Sequence, residues 1–168
     1  SRNFFDPELL RKSIEAFVLF CLLSGAVYVF NDIKDLQEDR KHPVKKNRPL
    51  ASGRLSPTAA GITAFSFLVV SFVLGWLVSV PLTVAMALYF LLQIGYTLFF
   101  KHRVILDIFS IAAGFVLRVV AGGLAVSVSL SPWLIICTML LALFLAMAKR
   151  RHELVFLKEE AGNHRPAV

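Results

Sequence analysis

Five stretches of this chain are apolar for long enough to cross a bilayer, and nothing else in it constrains the fold as tightly. They run over about 13–31, 57–79, 82–100, 104–126 and 131–149, against the ~17–25 residues a helix needs to span a hydrocarbon core. In lipid each segment must satisfy its own backbone N–H and C=O groups, so each is expected to be helical. The expected fold class is therefore all-α, a multi-pass transmembrane helix bundle. Ser56-Pro57 and Ser131-Pro132 supply helix starts, with Ser as N-cap and Pro in the first helical position. Pro81 separates the second and third spans and leaves only a tight turn between them. The chain is 57% hydrophobic, above the ~45–50% of average globular proteins. Cys21 and Cys137 fall inside apolar runs and read as small buried hydrophobes, outside any disulfide or metal framework.

Charge orients the spans. The chain has 18 Lys+Arg against 11 Asp+Glu, a formal net charge of +7. The basic residues gather at the ends of apolar segments, the pattern of topology signals and contact with anionic lipid headgroups. Membrane lipid, and no nucleic acid, is the expected partner. Three connections are basic: 31–56 with Lys34, Arg40, Lys41, Lys45, Lys46, Arg48 and Arg54; the link at Lys101 and Arg103; and Lys149-Arg150-Arg151. The connections at Val80-Pro81 and 127–131 carry no charge. The positive-inside tendency puts all three basic connections on the cytoplasmic side and segment 1–12 outside; the expected location is a bacterial plasma membrane. An outside N-terminus without an export signal calls for a preceding span, and Arg165-Pro166-Ala167-Val168 ends in a polar stretch with no finishing element. We therefore expect one transmembrane domain over 1–168 that is part of a longer chain.

The chemistry is concentrated in Asn31-Asp32-Ile33-Lys34-Asp35-Leu36-Gln37-Glu38-Asp39-Arg40. Were this one helix, Asp32, Asp35 and Asp39 would lie at about 0°, 300° and 340°, within a roughly 60° arc. Stacked carboxylates repel unless a cation or water screens them. Hard oxygen ligands suit Mg²⁺, which takes one or two carboxylates plus substrate phosphates in preference to an all-protein cage. Lys45, Lys46 and Arg48 follow at once, suited to phosphate oxygens on a substrate the metal holds. The plainer alternative is a solvated helix end with ordinary topology lysines.

The run Asn31-Asp32-x-x-Asp35-x-x-x-Asp39, followed by Asn47-Arg48-Pro49-Leu50-Ala51-Ser52-Gly53, resembles the first aspartate-rich motif of the UbiA prenyltransferase superfamily. The resemblance covers essentially the whole chain, including the approach from Tyr96 to Lys101. It implies an intramembrane enzyme of about nine helices that uses Mg²⁺ to activate a diphosphate leaving group. The present chain would run from the second helix to just past the sixth, without the first and the last three. The superfamily's second motif, Asp-x-x-x-Asp, is replaced by Lys149-Arg150-Arg151-His152-Glu153, where only Glu153 keeps an acid. With Asp39-Arg40-Lys41-His42-Pro43 and the run 147–154, this resembles the branch that makes decaprenylphosphoryl-5-phosphoribose. There the donor is phosphoribosyl pyrophosphate and the acceptor a polyprenyl phosphate. The alternative within the superfamily is transfer of a prenyl group from its diphosphate to an aromatic acceptor.

The resemblance implies roles for particular residues. Asp32, Asp35 and Asp39 would hold Mg²⁺ on the donor diphosphate, with Asn31 orienting them. Arg48, Lys45, Lys46 and Lys101 would neutralise the departing diphosphate. Glu153 would complete the metal site or bind a ribose hydroxyl. Lys149 and Arg150 would bind the acceptor phosphate or the donor 5-phosphate, and the lipid acceptor would lie between helices with its phosphate at the interface. Tyr96 is read either as facing the cavity or as part of an interfacial belt. Arg118 is read as one half of an ion pair with Glu15 of the first span, and Asp107 as either functional or structural. His42, His102 and His152 are read as solvated. Gly122-Gly123, with Ala121 and Ala125, is expected to allow close helix packing. A transporter would place ionisable or broken-helix positions near mid-membrane, whereas here the charges cluster at one face. A purely structural membrane protein has no need of the acidic trio.

Overall fold

The computed structural model describes residues 6–163, and the side chains of residues 6–101 and 103–152. The described residues are all-helical: α1 (Pro7–Lys34), α2 (Leu36–Lys41), a 3-10 turn (Lys45–Asn47), α3 (Pro57–Val78), α4 (Val80–Leu98), a second 3-10 turn (Phe100–His102), α5 (Val104–Ala125) and α6 (Pro132–Asn163). Five helices, α1 and α3 to α6, are long and apolar enough to cross a membrane. These are the five expected spans with shifted boundaries, the largest at the end of α6, which continues to Asn163. α1 starts at Pro7 because the Asp6 carboxylate accepts from the N–H groups of Glu8 and Leu9, closing donors that an uncapped start would leave open. Pro81 lies within the first turn of α4, where a missing N–H costs no hydrogen bond. Ser79 alone separates α3 from α4.

The core forms where α1, α4 and α5 meet. Leu19, Phe20 and Leu23 of α1 pack with Leu82, Met86 and Tyr89 of α4, and Ala121 and Ala125 of α5 let the helices approach. Close contact favours glycine at three places, Gly75, Gly123 and Gly95, where a Cβ would meet the Phe100 ring at 3.1 Å. A Cβ on Gly75 would meet Met86 Sδ at 3.1 Å, and one on Gly123 would meet Leu130 at 2.8 Å. Gly122 faces open space, and the close neighbour of Gly123 is a side chain of the α5–α6 connection and not another helix, so neither glycine makes the close helix packing expected of the pair. Large apolar side chains face outward, among them Phe65, Trp76 and Leu77 on α3 and Trp133 and Phe144 on α6. In water such a surface would drive aggregation; in lipid it is solvated. Cys21 and Cys137 also face outward, contrary to their reading as buried, because within an apolar span the lipid-facing side is no more polar than the core.

Arg118 does not pair with Glu15. Glu15 is held by Arg11, one turn earlier on α1. The Arg118 guanidinium instead donates to Tyr89 Oη at 2.6 Å and to Ser24 Oγ at 3.3 Å. It also lies 4.9 Å from the Tyr89 ring centre and 5.4 Å from that of Phe115. Neutral acceptors and two ring faces offset the charge here, so the acid expected from sequence is not required.

Candidate functional site

The acidic segment does not continue as one helix. α1 ends at Lys34, and Asp35 adopts φ −92° and ψ 6°, outside helical geometry. Its N–H still bonds Asn31 O at 2.9 Å, while its own carbonyl accepts from Glu38 N and Asp39 N and so starts α2. After the break Asp35 has a partner of its own, whereas Asp32 and Asp39 remain close enough to share one nitrogen. Asp32 and Asp35 line a cavity of about 320 Å³. Asp39 is buried and is not part of the cavity wall.

Each carboxylate has a cationic partner. Arg48 uses a single nitrogen, Nη1, to reach Asp32 Oδ1 at 2.8 Å and Asp39 Oδ2 at 2.9 Å. Lys101 Nζ pairs with Asp35 Oδ1, joining the α4–α5 link to the α1–α2 junction. Arg48 is held in place by its loop. It follows the 3-10 turn at Lys45–Asn47, and Ser52 N bonds its carbonyl while Leu55 N bonds that of Pro49. Leu50 of the same loop is buried, and Gly53 closes the loop at φ +80°, a backbone region that glycine enters without strain. His42 shapes the approach to that turn, with its Nδ1 accepting from Val44 N and Lys45 N.

Most of the residues expected from sequence converge on this one cavity. Asn31, Asp32, Asp35, Lys45, Arg48, Tyr96, Lys101, Lys149 and Arg150 all line it. Lys46 is exposed and lies outside the lining, whereas its equally exposed neighbour Lys45 contributes to it. Glu153 belongs to α6, and its side chain is outside the described residues. Asp107, left open between two roles, is buried, lines the cavity and meets Arg150 Nη1 at 3.4 Å. Sequence reasoning missed Gln93 and Thr97 of α4 and Tyr28 of α1, which complete the wall. An amide inside an otherwise apolar span was a usable signal for Gln93; Thr97 gave none.

The wall contains five cationic side chains and three carboxylates, which suits a polyanionic ligand. It also fits a Mg²⁺ ion carried in with one. Asp32 and Asp35 supply hard oxygens, and Asn31 Oδ1 is buried with no hydrogen-bond partner among the described residues. Among those residues no three acidic, His or Cys side chains converge closely enough to hold an ion by themselves. The expected trio is thus not gathered as one ligand set: Asp32 and Asp35 line the cavity, while Asp39 is buried against Arg48.

A second cavity, of about 680 Å³, is an apolar groove between α1 and α5. Phe17, Phe20 and Gly25 line it, Arg118 lies at its α5 side, and Tyr28 belongs to both cavities. The polar site therefore opens beside a lipid-compatible channel.

An integral-membrane helix bundle with a charged cavity at one end matches a known family. The profile of the UbiA prenyltransferase family fits residues 3–156, and the chain belongs to that family. Within it, the chain is similar to proteins named decaprenyl-phosphate phosphoribosyltransferase. It is 38% identical to the one from Mycolicibacterium smegmatis, over 92% of this chain and 48% of that protein. The Corynebacterium glutamicum protein is 38% identical over 88% of this chain and 45% of its own length. The Mycobacterium tuberculosis protein is 34% identical over 92% and 51%. The chain thus spans about half the length of the curated relatives it matches.

Proposed function

We propose that the protein is a Mg²⁺-dependent intramembrane transferase that moves 5-phosphoribose from phosphoribosyl pyrophosphate to a polyprenyl phosphate. The observation that carries this reading is the excess of cations around the cavity. A donor with a diphosphate and a 5-phosphate, meeting a phosphorylated lipid, brings more negative charge than a prenyl diphosphate meeting an aromatic acceptor. The names of the relatives point the same way. The basic connections support a cavity on the cytoplasmic side, and the bacterial sources of the relatives support a bacterial plasma membrane.

In the proposed reaction an oxygen of the acceptor phosphate bonds to C1 of the ribose as the C1–O bond to diphosphate breaks. The diphosphate leaves with the electron pair. Arg48, Lys45 and Lys101 line the cavity where that charge develops and stabilise it electrostatically. Asp32, Asp35 and the Asn31 amide oxygen would hold Mg²⁺, which supplies charge neutralisation on the diphosphate oxygens when bound. Asp39 acts through Arg48, fixing the guanidinium from the buried side. Lys149 and Arg150 of α6 face the same space and receive the acceptor phosphate or the donor 5-phosphate. The groove beside Tyr28 suits the polyprenyl chain.

The test is transfer from labelled phosphoribosyl pyrophosphate to polyprenyl phosphate in membranes containing the complete gene product. Lipid-linked product that disappears with EDTA supports the reading. Prenyl transfer to an aromatic acid, with no phosphoribosyl product, would keep the family and overturn the donor.

A further inference from the structure

Two groups in the cavity wall stand apart from the cations: an acceptor-only carboxylate that phosphate cannot satisfy, and a buried hydroxyl with no partner among the described residues. Thr97 and Asp107 line the same space as the cations. Thr97 is 1% exposed, and its Oγ1 has no hydrogen-bond partner among the described residues. This contrasts with Thr63, Ser66, Ser71, Thr83 and Ser110, each of which donates to the carbonyl four residues earlier. That local bond is the ordinary resting place for a hydroxyl in a helix; Thr97 does not take it. Asp107 is 8% exposed, and its Oδ2 lies 3.4 Å from Arg150 Nη1, long for a charge-assisted hydrogen bond.

An ionised carboxylate only accepts hydrogen bonds, and so do phosphate oxygens. A ligand made of phosphates alone would satisfy the lysines and arginines but present acceptors to Asp107. A ligand that carries hydroxyl donors as well as phosphates satisfies both sets. We propose that Asp107 and Thr97 form a subsite for the vicinal hydroxyls of a sugar phosphate, with the Asp107 carboxylate accepting from the hydroxyl next to the reacting carbon. The assignment rests on the phosphoribosyl reading given above and deepens it. It places sugar recognition on α4 and α5, opposite the acidic segment of α1. A hydrogen bond to that hydroxyl also strengthens as charge develops on the sugar ring, so Asp107 acts on turnover as well as on binding.

The experiment compares phosphoribosyl pyrophosphate with its 2-deoxy analogue, using the complete gene product as wild type, Asp107→Asn and Thr97→Val. With the ribosyl donor, Asp107→Asn should lower kcat/KM by about 3- to 10-fold, because the amide oxygen still accepts and only the charge assistance of the bond is lost. Thr97→Val, which keeps the side-chain shape, should lower it by about 3- to 10-fold, in line with a neutral bond. With the deoxy donor, Asp107→Asn should match wild type within about threefold, because the lost partner is already gone. Equal losses on both donors would mean that Asp107 only positions Arg150, and would overturn the subsite. So would full activity of Thr97→Val together with undiminished discrimination against the deoxy donor in Asp107→Asn. If wild type transfers no phosphoribose at all, the donor assignment falls and the subsite falls with it. The three failures are distinguishable.

Discussion

Replacing Arg48 by methionine removes a single guanidinium nitrogen that holds two carboxylates. The two arms are unequal. The arm to Asp32 joins half-exposed groups and resembles a surface ion pair, worth ~0–1 kcal/mol. Asp39 is different, with a side chain only 6% exposed. Removing one partner of a fully buried pair costs ~3–5 kcal/mol, chiefly from the charge left behind. Water reaches this pair through Arg48, whose side chain is 41% exposed, so solvent screening brings the expected loss down to about 2 kcal/mol. At roughly 2–4 °C per kcal/mol for a chain of this size class, the midpoint should fall by about 4–8 °C.

The assay is thermal unfolding in detergent of wild type, Arg48→Met, Asp39→Asn and the double variant. With Asp39 already neutral, Arg48→Met should cost less than about 1 kcal/mol, which leaves a coupling of about 1–2 kcal/mol. Effects that add within about 0.5 kcal/mol would refute the bridge, since independent sites behave that way. The cycle reads stability alone, so it stays informative even though Arg48 also faces the cavity and its loss is expected to abolish turnover.

Alanine at Asp32 or Asp35 should abolish transfer while membrane insertion and purification yield stay unchanged; substantial turnover in either variant would sink the metal assignment. Gly123→Val should destabilise by ~1–3 kcal/mol, as overpacking does, because its Cβ would lie 2.8 Å from Leu130. Gly122→Val, with no atom within 4 Å, should leave the melting temperature within about 2 °C. Equal effects of the two glycine variants would rule out the close approach at Gly123.

The spans were legible because hydrocarbon thickness fixes helix length and leaves the backbone no alternative to helix. Local capping chemistry placed the start of α3 at Pro57 and of α6 at Pro132 within one residue. The residue types of the site were legible for a similar reason: carboxylates beside lysines and arginines at a helix end constrain the chemistry before any geometry is known. Their arrangement was not. An ideal helix puts Asp32, Asp35 and Asp39 on one face, but Asp35 leaves helical geometry and pairs with Lys101, 66 residues away. Arg48 fills the space between Asp32 and Asp39 that a cation on a continuous stripe would have taken. Long-range pairs of this kind have no local signature. Thr97 was invisible for another reason, since a threonine in an apolar helix normally bonds its own backbone.

The pairing of Arg118 bears on how the two cavities divide the work. Asp107 and Arg118 share α5, and eleven residues separate them by ~16 Å along the helix axis. A reacting phosphate at the cavity wall near Asp107 is therefore beyond reach of Arg118, although both line spaces that meet at Tyr28. The structure gives Arg118 another outlet. Tyr89 Oη accepts from Arg118 at 2.6 Å and from Gln93 Nε2 at 2.9 Å, and Gln93 lines the polar cavity. A phenol oxygen with two incoming donors has only its own proton left to give, and Ser24 Oγ lies 3.3 Å away to take it. The charge deep in the bundle thus orients a hydroxyl, which in turn fixes an amide at the cavity wall. In the proposed reaction the anions are held by Arg48, Lys101, Lys149 and Arg150 at one end of the bundle. Arg118, tied to Tyr89 and Ser24, lines the groove that the proposal gives to the polyprenyl chain and has its donors engaged there by neutral oxygens.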